Sequence, residues 1–185
     1  MSAARYDVIV AGAGLVGMAL AAALARGGLT VALLDRQQPL PSADPDTWDA
    51  RVYAISPGSA GFLQRIGAWQ ALPCERIAAI ESMRIAGDTG ATLDFSAYEL
   101  GERALAWIVE ERALREALRP AIHVPGIDFI TGVTFATLAF SATEGTLTLA
   151  DDRAFAGRLV VGADGLNSWV RRAAGIVAEP KSYGQ

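Results

Sequence analysis

With 185 residues, 52% of them hydrophobic and 19% charged, the chain has the composition of a globular protein of ordinary domain size. A formal net charge of −4 excludes the basic footprint of a nucleic-acid binder. A single cysteine, Cys74, and a single histidine, His123, exclude an internal disulfide or thiolate cluster, disfavour triad and histidine–metal chemistry, and fit a reducing compartment.

The first element is a strand over Tyr6–Ala11, followed at once by Gly12-Ala13-Gly14-Leu15-Val16-Gly17. A helix is predicted over Leu15–Arg26 and a second apolar strand over Thr30–Leu34, ending in Asp35. In that order the pieces form a dinucleotide fingerprint. The first glycine allows a tight strand-to-helix turn, the second lets a pyrophosphate approach the backbone, and the third lets helix and strand pack closely. The first-turn N–H groups of Leu15, Val16 and Gly17 and the positive end of the helix dipole suit phosphates. Asp35 is placed to accept hydrogen bonds from an adenosine ribose, about 20 residues downstream. The charge-free run Val8–Ala25 also resembles a signal peptide or membrane span. Against that stand the lone preceding cation Arg5, the glycines that interrupt the run, and the strand that would lose its partner.

Gln37–Trp48 carries three prolines and reads as a loop. Asp49–Ile55 leads into Ser56-Pro57, a capping serine with proline at the first helical position, and the helix runs to about Ile66 before Gly67. Met83–Gly87 and Thr92–Ser96 flank a turn and predict a hairpin. A strand over Ala104–Val109 and a helix over Glu110–Ala121 follow, with Leu114 and Leu118 on one face and Glu111–Arg115 as an i,i+4 pair. His123 runs into Val124-Pro125-Gly126 and reads as a structural loop histidine. Ile127–Ile130, Val133–Ser141 and Thr146–Ala150 read as a three-stranded meander. Arg158–Ala163, too apolar to face water, returns to a buried parallel sheet and ends at Asp164-Gly165, before a helix capped by Asn167 or Ser168. Trp69, Trp107 and Trp169 read as core residues. A parallel sheet interrupted by a loop–helix–hairpin excursion and a meander suits a cofactor held by several distant segments, and so FAD better than NAD.

Three motifs resemble those of the flavoprotein aromatic hydroxylases (class A monooxygenases), and within them the ubiquinone-biosynthesis hydroxylase branch. They are the Gly12–Gly17 loop with Asp35, the segment Asp49-Ala50-Arg51-Val52-Tyr53-Ala54-Ile55-Ser56-Pro57, and Gly162-Ala163-Asp164-Gly165-Leu166-Asn167-Ser168-Trp169-Val170-Arg171. The resemblance covers the whole chain but only the N-terminal half of such an enzyme, with Tyr183-Gly184-Gln185 similar to the crossing back into the substrate domain. It implies a Rossmann-like α/β FAD-binding fold with a parallel sheet, a meander and part of a substrate-binding sheet. Residues 1–78 and 104–182 would form the incomplete FAD-binding domain, and hairpin 79–103 would belong to the substrate domain, with Met83–Ser96 in its floor. The family's later Gly-Asp motif is missing.

The resemblance also implies the site: Gly12, Gly14, Leu15, Val16, Gly17, Asp35, Arg36, Arg51, Glu111, Asp164 and Gly165 at the cofactor, with no catalytic side chain and no metal. Arg51 would lie on the phosphate or ribose side of the flavin cofactor, the bland alternative being a surface pair with Asp49. Asp164 would approach the FAD and the pyridine-nucleotide pyrophosphate, held by an ion pair from Arg171 or left as a turn residue. Two positions depart from the pattern: Asp35 stands where glutamate is commoner, and Glu111 where the branch often has asparagine. The implied reaction uses NADPH or NADH to reduce FAD and O₂ to form a flavin C4a-hydroperoxide that hydroxylates an aromatic, polyprenyl-phenol ring. The implied location is cytoplasmic and peripheral to the inner membrane or a ubiquinone-biosynthesis complex. The isolated chain is expected to bind FAD weakly and turn nothing over. The rivals are a hydroxylase of a soluble phenol and a non-catalytic dinucleotide-binding module.

Overall fold

The computed structural model describes residues 3–38 and 47–178. In chain order its elements are β1 (Ala4–Ala11), α1 (Leu15–Arg26), β2 (Val31–Leu34), β3 (Val52–Ile55), α2 (Pro57–Arg65), β4 (Ile77–Ile80), β5 (Ser82–Ala86), β6 (Thr92–Ser96) and β7 (Ala106–Glu110). They continue with α3 (Glu111–Ile122), β8 (Ile127–Ile130), β9 (Phe135–Phe140), β10 (Gly145–Leu149), β11 (Ala154–Gly162) and α4 (Trp169–Ala173). The chain divides into two units, Met1–Leu40 with Ile122–Gln185, and Pro41–Ala121. Most of the predicted loop Gln37–Trp48 and the ending Tyr183-Gly184-Gln185 lie outside the described residues.

The first unit is built on a six-stranded sheet in the order β8-β2-β1-β11-β10-β9. β1 pairs in parallel with both β2 and β11, while β10 pairs antiparallel with β11 and β9. Val31–Leu34 are wholly buried, as expected for a parallel strand covered on both faces. α1 buries its small face, Gly17, Met18, Ala19, Ala21 and Ala22. Ile9, Leu34, Leu147, Leu149, Phe155 and Phe135 form the core, with Trp169 packed against it. Each such side chain stabilises the fold by roughly 1.5–3 kcal/mol. The run that resembled a signal peptide is therefore β1 and α1, and no helix among the described residues is long and apolar enough to cross a membrane.

Two expectations about this sheet are corrected. Ile127–Ile130 is not the first strand of a meander: β8 pairs in parallel with β2, Val31 opposite Ile127 and Leu34 opposite Ile130. The meander is β9-β10-β11 alone. The turn signal Thr131-Gly132 suggests a hairpin, but the link runs past the end of β2, where the Val133 N–H donates to the Asp35 carbonyl at 3.2 Å. Strand pattern encodes alternation, not partner. β11 also begins earlier than predicted, at Ala154, and is buried at Phe155–Gly157 but open at Leu159, which is 54% exposed.

The second unit holds a three-stranded antiparallel sheet in the order β3-β7-β4, and the hairpin β5-β6. The Ser56 hydroxyl accepts the Ser59 N–H at the start of α2, with Pro57 at its first position, so the cap works as read. β4 has no counterpart in the sequence reading, because Ile77-Ala78-Ala79-Ile80 lacks the β-branched and aromatic density that marks a strand. Trp69 and Trp107 meet edge-to-face at 5.5 Å in this unit, and in the first unit Trp169 lies 5.3 Å from Phe135. All three are half-buried.

Candidate functional site

The carboxyl ends of β2, β1 and β11 meet in a cavity of about 500 Å³ lined by Gly12, Gly14, Asp35, Arg36, Gln37, Phe135, Ala163, Asp164 and Gly165. The turn after β1 and the turn after β11 are in direct contact. Gly12 has φ +104°, and a Cβ there would fall 2.3 Å from the Ala163 carbonyl oxygen and 2.7 Å from the Asp164 nitrogen. The Ala163 N–H donates to the Ala11 carbonyl at 2.7 Å, and the Gly12 N–H to the Leu34 carbonyl at 2.7 Å. Three strand ends are thus tied into one floor.

The three loop glycines meet different surroundings. Gly17 lies against the preceding turn, since its Cβ would fall 1.8 Å from the Gly12 carbonyl oxygen. Gly14 faces open space, with nothing within 4 Å of a Cβ placed there. That opening sits at the N-terminus of α1, where no side chain caps the helix and no acidic residue occupies the first turn. The first intrahelical bond runs from Met18 N–H to Gly14 carbonyl, which leaves the amides of Leu15, Val16 and Gly17 for an outside acceptor. Leu15 is half-buried and Val16 exposed. A Gly14 cradle without a Cβ beside uncapped amides fits a diphosphate. That is the group the sequence asks for here.

Asp35 and Asp164 both line this cavity, but their carboxylates already hold the protein's own backbone. Asp35 Oδ2 accepts the Ala13 N–H at 2.5 Å, and Oδ1 accepts the Gln37 N–H at 2.7 Å. Asp164 accepts the Ser168 hydroxyl at 2.5 Å and the amides of Trp169 and Val170 at 2.6 and 3.2 Å. Burial pushes the Asp164 carboxyl up, but these donors outweigh it and hold it below the usual carboxylate range. The expected Arg171–Asp164 ion pair is corrected: the Arg171 guanidinium donates to the Leu166 carbonyl at 3.2 Å. Arg171 lies one helical turn beyond the cap, so its backbone N–H meets Ser168 Oγ at 3.0 Å while its side chain turns back along the loop. The lining residues Gln37, Phe135 and Ala163 were missed. Phe135 carries no local signal, because it arrives from the far end of the chain through the link after β8.

In the second unit, the Arg51 guanidinium lies 2.7 Å from Glu111 Oε2 and is 70% exposed. Its partner is therefore Glu111, not Asp49. Asp49 Oδ1 accepts the Arg51 backbone N–H, and Oδ2 accepts that of Arg112. Glu111 is buried and also pairs with Arg115. Burial raises the Glu111 carboxyl, but the two arginines more than reverse this and keep it ionised. Beside it, buried Glu110 accepts the Asp49 N–H at 2.6 Å and Arg76 at 2.9 Å, with Arg112 at 3.5 Å. Arg76 in turn lies 4.0 Å over the Trp48 ring. No group of three or more metal-ligating side chains occurs among the described residues.

The chain is similar to known proteins along nearly its whole length. The ubiquinone hydroxylase UbiL of Rhodospirillum rubrum is 32% identical over 182 residues, covering 97% of this chain and 42% of that protein. The 3-demethoxyubiquinol 3-hydroxylase of Escherichia coli is 31% identical over 180 residues, covering 97% and 46%. The chain thus spans less than half the length of these curated relatives. The crystal structure of PqsL from Pseudomonas aeruginosa shares the fold with a TM-score of 0.75 at 22% identity, covering 97% of this chain and 48% of that one. Residues 5–183 match the family described as FAD binding domain. The chain belongs to that family.

Proposed function

We propose that the chain is the cofactor-binding part of a FAD- and NAD(P)H-dependent monooxygenase that hydroxylates the aromatic ring of a ubiquinone-pathway intermediate. One observation carries the reading: the glycine turn, Asp35 and the Asp164-Gly165 turn line a single cavity at the carboxyl ends of parallel strands, where open α/β sheets bind their ligands. In this reading the diphosphate lies over Gly14 and takes the amides of Leu15, Val16 and Gly17. Asp35 accepts from the adenosine ribose, and Arg36 borders it. Asp164 and Gly165 hold the opposite side. Arg51 supplies a cation for the phosphate side, and Glu111 fixes its guanidinium.

FAD supplies the redox and oxygen chemistry when bound. The chain's own tasks are to bind, orient and exclude water, which is why no nucleophile–base pair is required of it. Residues 1–78 with 104–182 serve the cofactor, and the hairpin within 79–103 serves the substrate floor. The substrate class in this reading is a prenylated phenol, and the similarity to ubiquinone-pathway hydroxylases supports it. We infer a position on the cytoplasmic side, in peripheral contact with the inner membrane or with a ubiquinone-biosynthesis complex, because a polyprenyl substrate would reside there.

Two assays test the proposal separately. Titrating the chain into FAD should quench flavin fluorescence saturably and weakly, with no NAD(P)H oxidation. Absence of quenching removes the cofactor assignment. A chimera carrying the remaining length of the E. coli relative should oxidise NAD(P)H and hydroxylate a prenylated phenol. Turnover of only a soluble phenol would move the substrate assignment.

A further inference from the structure

Asp35 has the position of a ribose ligand, yet both of its oxygens accept hydrogen bonds from the chain's own backbone. Oδ2 takes the Ala13 amide at 2.5 Å and Oδ1 the Gln37 amide at 2.7 Å. Ala13 sits between Gly12, whose φ of +104° turns the chain out of β1, and Gly14, which opens onto the cavity. α1 itself has no side-chain cap, so Asp35 is the side chain that reaches across from β2 to brace this turn. The Asp35 N–H is anchored in its own right, donating to the Ile130 carbonyl at 2.9 Å. The brace therefore runs from a fixed strand end to the phosphate-binding turn.

We infer that Asp35 is a positioning residue, which holds the phosphate-binding turn in its ligand-ready shape through the Ala13 amide, in addition to its ribose contact. The inference rests on the reading that the cavity takes the nucleotide half of FAD. Aspartate, one methylene shorter than glutamate, suits the task because its carboxylate stays at the depth of the turn. The brace has a consequence opposite in sign to plain electrostatics. A carboxylate beside a diphosphate site repels the ligand. Without a brace, removing it would tighten binding of any ligand that lacks ribose hydroxyls. With a brace, removing it frees the turn and weakens binding even of such a ligand.

Calorimetric titration of the chain with ADP and with 2′,3′-dideoxy-ADP separates these outcomes. Asp35→Ala should weaken dideoxy-ADP by about tenfold, the worth of a hydrogen bond to a charged group, and ADP by more, because the ribose contact is lost as well. Asp35→Asn, which keeps a carbonyl acceptor for Ala13, should recover most of the loss for dideoxy-ADP. Dideoxy-ADP binding to Asp35→Ala as tightly as to wild type, or more tightly, overturns the brace. Failure of wild type to bind either nucleotide counts against the cofactor reading instead. In that case, or if Asp35→Ala does not fold, a second measurement decides the brace. In ligand-free wild type the Ala13 amide proton should be shifted downfield and protected from exchange relative to Gly14. An Ala13 amide exchanging like an unbonded loop amide overturns it.

Discussion

Gly12, Gly14 and Gly17 fit one sequence motif but do three different jobs, and a single methyl group separates them. Gly17→Ala drives a Cβ into the Gly12 carbonyl and should cost roughly 3 kcal/mol or more, as overpacking against backbone that cannot retreat. Gly12→Ala adds the strain of positive φ to a collision with Ala163 and should be similarly severe. Gly14→Ala meets no atom within 4 Å, so its stability in a thermal melt should stay within about 1 kcal/mol of wild type, while FAD affinity falls by about tenfold as the diphosphate is held off. Melts and FAD titrations on the three variants check this ordering. Ser168→Ala removes both the cap of α4 and the hydroxyl donor to Asp164, and should cost about 1 kcal/mol in a thermal melt. The glycine loop and Asp35 were legible because their spacing is local. The Asp164–Ser168 bond was only half legible: the sequence marks serine as a cap and aspartate as a turn, but which donor the carboxylate takes depends on how the loop folds back. Arg171 is the charged candidate by composition, and the neighbouring hydroxyl wins by proximity.

Secondary-structure elements are held by polar ties as well as by apolar packing, most clearly where β7 runs into α3. Glu110 gathers Asp49, Arg76 and Arg112 onto one buried carboxylate, and so fastens the segment leading to Arg51. Glu110→Ala should destabilise by about 3 kcal/mol, because it removes the buried carboxylate shared by Arg76, Arg112 and the Asp49 N–H. Burial raises the Glu110 carboxyl, but its donors overcome this and hold it below the usual range. With folded pKa values below the unfolded ones, Glu110, Glu111 and Asp164 contribute stability that is fully present above about pH 4.5. That contribution is lost as the pH falls through their folded values. Midpoints should thus be level from about pH 8 to pH 5 and drop below about pH 4, with a smaller drop in Glu110→Gln. α3 and its Glu111–Arg115 pair were readable from helical spacing. β4 and the partner of β8 were not, since an alanine-rich strand has little signature and a parallel crossover with a long excursion between its strands leaves none.

Taken across the whole chain, the pattern is a cofactor-binding sheet with a second unit inserted between β2 and β8. That insertion separates β2 from β8 in sequence and hides the βαβ continuation. The hairpin of the second unit exposes apolar side chains. Met83 pairs with Phe95 and Ile85 with Leu93, all at least 38% exposed, while Arg84 and Asp94 pair at 2.6 Å. Uncovered apolar surface of this kind promotes association. Replacing Ile85 and Leu93 together by threonine should leave the thermal midpoint near that of wild type and reduce concentration-dependent sedimentation. Unchanged self-association would place the contact elsewhere. The most direct test of the cofactor assignment is a backbone amide spectrum of the chain during titration with FAD. The amides of Gly12 to Gly17, Asp35 to Gln37, and Ala163 to Gly165 should move together along one saturation curve. Saturable FAD binding that moves none of them, or moves only one of the three segments, would contradict a single site spanning the ends of β1, β2 and β11.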